Sequence, residues 1–342
     1  MAQLGVPGLV VQVEAPGLCH WIATLGTGDV AKRRPMYLNG HVRIGSITKT
    51  FTGTVVLQLV DEGRIGLDDP ISLHLSGVPN GNAITIRQLL YMSSGLYNYS
   101  EDLAFNQSLD ADPQRVWTPK ELLVIGFSQP PYFPPGAGFH YSNTNSTLLG
   151  RLVETVTGNP LGQEFQRRIF GPLRMSESSL PDLDDTAIPR PHPRGYMFGT
   201  NVGSLPPDCD AVSVGRHDVT NVSPSWTWAA GGAISTLRDL RIWSRALALG
   251  TLLTPATQAQ RLQWIPTSSS PGAPRYGLHI TNFAGIIGHD GALPGFQSFM
   301  GYIPARDVTI VVLANVYPDL DCGGPADEIV KLIAGKLKLF SP

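Results

Sequence analysis

Arg43-Ile44-Gly45-Ser46-Ile47-Thr48-Lys49 runs directly into the apolar segment Phe51 to Val60. That segment predicts a helix, and its apolar residues fall on nearly every face, so the helix is expected to be buried. Ser46 stands at its start, where backbone N–H groups lack intrahelical partners and a hydroxyl is favoured. Lys49 follows three residues later, on the same face. A serine hydroxyl is a weak nucleophile until a base takes its proton. A lysine confined in a dry pocket loses part of its preference for charge and can become that base. The same spacing also suits a capping serine beside a surface lysine, so two further stretches decide the matter.

Tyr141-Ser142-Asn143 follows the turn-rich Pro134-Pro135-Gly136-Ala137-Gly138 and precedes a helical pattern at Leu148, Leu149, Leu152, Val153 and Val156. The tripeptide is expected on a loop entering a helix, a common place for functional side chains. A phenol beside an ammonium can be drawn toward phenolate and pass protons. Asn143 offers a donor and an acceptor suited to a substrate amide. Gly288-His289-Asp290-Gly291-Ala292 precedes two strand-like runs, Phe296 to Tyr302 and Asp307 to Leu313, joined by Pro304-Ala305-Arg306. Glycines at 288, 291 and 295 are expected to let a ligand approach the backbone.

In this order, the three stretches resemble the penicillin-recognising serine hydrolases. The chain is similar to class C β-lactamases and, more closely, to secreted actinomycete D-alanyl-D-alanine carboxypeptidases. The resemblance spans nearly the whole chain, through Thr85-Ile86-Arg87-Gln88-Leu89-Leu90, Ser94-Gly95-Leu96 and Gly231-Gly232-Ala233-Ile234-Ser235-Thr236. It implies that Ser46 forms an acyl-enzyme and that Lys49 and Tyr141 move the proton, with the base left open between them. It implies an oxyanion hole from the backbone N–H groups of Ser46 and Ala292. His289, where many relatives carry lysine, would complete the polar network near Tyr141. The fold implied is mixed α/β (α+β): an antiparallel sheet flanked by helices, with an inserted all-α subdomain and the site in the cleft between. Residues 1–65 and 230–342 would build the α/β part, and 66–229 the mostly helical insertion.

Composition narrows the classes. A chain of 342 residues, 42% hydrophobic, is long enough for one large or two intimate domains. A net charge of −2 and the absence of a basic run exclude an obvious nucleic-acid partner. No apolar stretch reaches the ~18 residues of a membrane span. The eight histidines show no metal-ligand spacing, and no metal or cofactor is expected. Cys19, Cys209 and Cys322 are too few for a disulfide framework, with a Cys209–Cys322 bridge as one open pairing. The sequence lacks Gly-x-Ser-x-Gly, which argues against the α/β-hydrolase route to a reactive serine. Met1 leads straight to a strand at Leu9 to Val13, without a charged or apolar leader. The relatives that the chain resembles usually have a further helix before this strand, preceded by a signal. An exported protein lacking its signal peptide is expected, a cytoplasmic one being the alternative, and a monomer in either case.

Further elements are expected at Trp21–Leu25 (strand), after Thr118-Pro119 and Thr254-Pro255 (capped helices) and at Glu328–Leu339 (helix). Pro189 to Pro207 reads as a long surface loop. One departure bears on substrate. The carboxypeptidases typically carry His-Thr-Gly-Thr in the third stretch, and class C β-lactamases Lys-Thr-Gly-Ser, whose hydroxyls help hold a free carboxylate. Here those positions are Asp290 and Ala292, which share one side of a strand. An anion there would repel a substrate carboxylate. The expected function is a D-alanyl-D-alanine carboxypeptidase-like peptidase or amidase acting on a small peptide, amide, ester or β-lactam. An esterase or acyltransferase on the same scaffold is the alternative, ahead of a true β-lactamase or a silent penicillin-binding sensor domain.

Overall fold

The computed structural model describes residues 5–17, 19–205, 210 and 214–337. Its largest element is a nine-stranded antiparallel sheet. The strand order is Arg34–Pro35, Cys19–Asp29, Gly8–Ala15, Val308–Ala314, Phe296–Ile303, Ile286–Leu293, Thr281–Phe283, Arg275–Tyr276 and Ile265–Pro266. The central strands are buried on both faces, so their sequences are apolar runs rather than strict alternations. Period-two packing still sorts them: Ile310 and Val312 face the closing helix Pro325–Lys336, while Val311 and Leu313 join the main core. Helix Leu237–Leu249 covers that second face. The closing helix begins three residues earlier than expected, at Pro325, a residue suited to the first helical turn.

Gly45–Ile47 is a turn of 3-10 helix that continues into the α-helix Thr48–Asp61. This helix is enclosed on nearly all sides. Phe51 packs against Trp243, Phe170 and Phe165, with ring centroids 4.9, 5.1 and 5.7 Å away. Its threonines are tolerated because their hydroxyls are satisfied: Thr50 and Thr54 donate to Ile47 O and Thr50 O, and Thr52 donates to Ala229 O. Helix Asn143–Thr157 lies against it, and Leu148, Leu149 and Leu152 enter the same core.

The span between residues 66 and 229 contributes the helices Ile86–Leu90, Leu103–Ala111 and Pro119–Ser128 among others. Thr85, Thr118 and Thr254 each cap a helix through the hydroxyl, the first two within full capping boxes. One expectation fails here. Pro189 to Pro207 is not all surface loop: Tyr196–Phe198 is a buried strand paired with Arg216–Asp218. Tyr196 and Phe198 belong to a small apolar cluster with Val6 and Val316, so tertiary burial overrides the turn-rich composition. Cys209 lies outside the described residues, and the Cys209–Cys322 pairing with it.

Candidate active site

Strand Ile286–Leu293 is paired with Thr281–Phe283 only as far as Gly288, so its edge lacks a strand partner from His289 onward. The backbone at residues 44–46 packs onto that edge. A Cβ on Gly291 would sit 1.9 Å from Ile44 O and 2.9 Å from Ser46 N. A Cβ on Gly45, where φ is +52°, would sit 2.5 Å from Ala292 N. Glycine at both positions is therefore what lets the Ser46 turn touch the strand. This corrects the expected role of the glycines: the close approach at 288 and 291 is made by the protein's own backbone. Gly288 meets Met300 O, and the residues that line the cleft on this strand are His289, Asp290 and Ala292 rather than the glycines.

Lys49 is fully buried, and its Nζ donates to three oxygens: Ser46 Oγ at 3.0 Å, Asn143 Oδ1 at 2.7 Å and Ala230 O at 2.9 Å. Burial pulls its pKa from 10.5 down to about 7, with the nearby Asp290 charge pulling the other way. Nζ lies 4.7 Å from the centre of the Tyr141 ring. The Tyr141 hydroxyl turns to Ser46. Its phenol is not drawn toward phenolate, contrary to the expectation from an adjacent lysine. Burial, helped by Tyr276 and Asp290, pushes it well above the ordinary value, and the hydrogen bond with Ser46 only partly opposes that. Of the two groups, Lys49 is the one poised to accept a proton near neutral pH.

Asn143 begins its helix and is held from three sides. Its backbone N donates to Asn98 Oδ1 at 3.0 Å, and its Nδ2 donates to Ser100 Oγ at 2.9 Å. These contacts leave Oδ1 aimed at Lys49. His289 is buried opposite Met300, with Nδ1 2.6 Å from Asp290 O and Nε2 3.4 Å from the Tyr276 hydroxyl. Tyr276 stacks edge-on to both Tyr141 and His289. Asp290 and Ala292 lie on the other side of the strand from His289, opposite Phe299 and Gln297. The Asp290 side chain is 46% exposed and lies at the rim of the cleft. Its carboxyl stays below the ordinary value: burial opposes the charge, and hydrogen bonding from His289 outweighs it.

Ser46, Tyr141, Asn143, His289, Asp290 and Ala292 thus line one cleft of about 480 Å³, with Lys49 beneath it. Sequence reasoning missed Tyr276, Asn98 and Ser100. The polar and aromatic run Tyr97-Asn98-Tyr99-Ser100, just after Ser94-Gly95-Leu96, was the available signal for two of them. His279, by contrast, is a buried structural residue, bonded to Ser146 Oγ and Leu90 O and driven by burial to about 3.

The family model described as Beta-lactamase matches residues 1–334. A D-aminopeptidase of Brucella anthropi is 30% identical over 96% of this chain and 58% of its own length. The chain spans about 60% or less of the length of the curated relatives it matches. Among solved structures, a D-stereospecific amidohydrolase from Streptomyces sp. superposes with a TM-score of 0.84 at 33% identity, covering 96% of this chain and 94% of the other. A D-amino acid amidase from Ochrobactrum anthropi SV3, complexed with L-phenylalanine, gives 0.84 at 25% identity, covering 98% and 94%.

Proposed function

This chain belongs to the Beta-lactamase family, and from that premise we propose that it is a serine amidase or peptidase working through an acyl-enzyme on Ser46. The substrates proposed are amides and short peptides of D-amino acids. The observation that carries the reading is the Lys49–Ser46 pair: a 3.0 Å hydrogen bond from a fully buried lysine held near neutrality. Lys49 takes the Ser46 proton as Oγ adds to the carbonyl carbon. The developing oxyanion faces the N–H groups of Ser46 and Ala292, which Gly45 and Gly291 bring together. Tyr141, a phenol in this setting, passes the proton on to the leaving nitrogen, which departs as ammonia or an amine. Water then adds to the acyl-enzyme along the same proton path in reverse. Tyr276 and His289 position Tyr141.

The D configuration follows the D-aminopeptidase, the D-stereospecific amidohydrolase and the D-amino acid amidase. Carboxypeptidase action on a free C-terminal acid has less support, because no lysine or arginine lines the cleft among the described residues. Transfer of the acyl group to an alcohol or amine, or ester cleavage, is the second reading, favoured by the cleft of about 480 Å³ beside Ser46, which leaves room for a second nucleophile. Ammonia release from D- and L-phenylalanine amide tests the first reading. The D form should lead by about a hundredfold, the scale of a well-formed pocket's discrimination, and Ser46→Ala should release none. A preference for the L form, or release that survives Ser46→Ala, would overturn it.

A further inference from the structure

Asp290 is the one carboxylate among the described residues that line the cleft, and no lysine or arginine lines it. Lys49 acts on Asp290 only through space: its Nζ is enclosed beneath the cleft and its hydrogen bonds go to three other oxygens. The cleft therefore presents a single fixed anion to whatever binds beside Ser46. We propose that Asp290 anchors the free α-ammonium group of the substrate, so that the enzyme takes amino-acid amides and peptide N-termini and discriminates against N-blocked ones. The inference rests on the acyl-enzyme reading above.

The placement fits. Asp290 and Ala292 share one side of the strand, about 7 Å apart along it. With the carbonyl oxygen on the Ala292 N–H, the α-nitrogen lies one tetrahedral carbon from the reacting carbon. Ser46, Asp290 and Ala292 line the same cleft, so a carbonyl held at Ser46 keeps its α-nitrogen within the space that Asp290 borders. The carboxylate is also available. Its protein partner, His289 Nδ1, is 3.4 Å from Asp290 Oδ1, whereas the same nitrogen is 2.6 Å from Asp290 O. The side chain is 46% exposed, so a bound substrate rather than the fold would complete its burial.

Asp290 also borders a groove behind the sheet that contains Asp327, Phe299 and Lys331, whose ammonium is paired with Glu328. Asp327 accepts from Gln297 Nε2 at 2.9 Å and is pushed up to about 7 by burial and by the Asp290 charge. Among the described residues, no third histidine, cysteine or carboxylate joins the pair to make a metal site. A monovalent, hydrogen-bonding cation such as a primary ammonium matches this arrangement.

The test is the ratio of kcat/KM for D-phenylalanine amide and N-acetyl-D-phenylalanine amide, on the parent and on Asp290→Asn. The parent should favour the free amine by about ten- to a hundredfold, the scale of one charge-assisted hydrogen bond. Asp290→Asn should bring the ratio near one. Because the readout is a ratio, a general loss of folding or rate does not imitate it, and Asp290→Thr serves if the asparagine variant is unstable. A parent ratio near one, or a ratio retained in the variants, overturns the inference. If neither amide acylates Ser46, the acyl-enzyme reading fails separately. Calorimetric binding of the two amides to Ser46→Ala then decides this one. Tighter binding of the free amine that depends on Asp290 upholds it, and equal binding overturns it.

Discussion

Replacing Lys49 with methionine should abolish activity and remove the pH dependence of stability that the buried lysine imposes, and its size follows from the lysine's lowered pKa. Lowering a lysine from 10.5 to about 7 corresponds, at ~1.4 kcal/mol per pH unit, to ~5 kcal/mol of destabilisation wherever the folded lysine is protonated. The sign follows from proton counts. Between about 7 and 10.5 the unfolded chain binds the proton and the folded chain does not, so parent stability rises with pH across that window. Methionine cannot titrate, and it leaves Ser46 Oγ, Asn143 Oδ1 and Ala230 O without their donor, at a pH-independent cost of ~1–3 kcal/mol for each oxygen left buried and unsatisfied. Arg261 and Arg43, lowered by burial to about 9 and about 10, titrate in both proteins and cancel in the comparison. Urea unfolding of parent and Lys49→Met at pH 6, 7, 8 and 9 reads the difference. The stability of the variant relative to the parent should fall by ~2–3 kcal/mol from pH 6 to pH 9. A difference that stays flat would refute the claim that Lys49 is held near neutrality by burial.

The same titration sets the rate. Acylation, followed as kcat/KM for a D-amino-acid amide, should climb as pH rises through about 7, because Lys49 must be neutral to accept the Ser46 proton. A rate already level from pH 5 upward would contradict that role. Tyr141→Phe should lower acylation by about 10²–10⁴-fold with little change in urea midpoint, since the hydroxyl carries the proton while the ring keeps its packing; stopped-flow acylation decides it. Gly291→Ala puts a Cβ 1.9 Å from Ile44 O, backbone against backbone, and should cost ~3 kcal/mol or more and displace Ser46. An unchanged unfolding midpoint would show that the strand and the Ser46 turn are not in tight contact.

How much was legible depended on the range of each interaction. Ser46 and Lys49 share a helix face, so three-residue spacing carries their relation. The caps at Thr85, Thr118 and Thr254 are equally local. The sheet's central strands announced themselves as apolar runs. Tyr276 was not legible, because it reaches His289 and Tyr141 only through the strand pairing of residues 275–276 with 281–282. Asn98 and Ser100 act through a turn that meets helix Asn143–Thr157 in space, 43 to 45 residues away in sequence. The protonation of Tyr141 was misjudged because a neighbouring lysine implies a nearby charge, whereas burial weakens that charge and disfavours the phenolate directly. Gly291 was read as space for a ligand, since a sequence does not say which backbone fills the gap.

The proposed chemistry requires a covalent intermediate at Ser46. Acid-quenched incubation with a D-phenylalanine ester, followed by intact mass spectrometry and peptide mapping, measures it directly. The expected result is a D-phenylalanyl adduct on the peptide that contains Ser46, absent in Ser46→Ala and accumulating slowly in Lys49→Met. Turnover without any adduct under conditions that trap acyl-enzymes, or an adduct mapped to another residue, would contradict it.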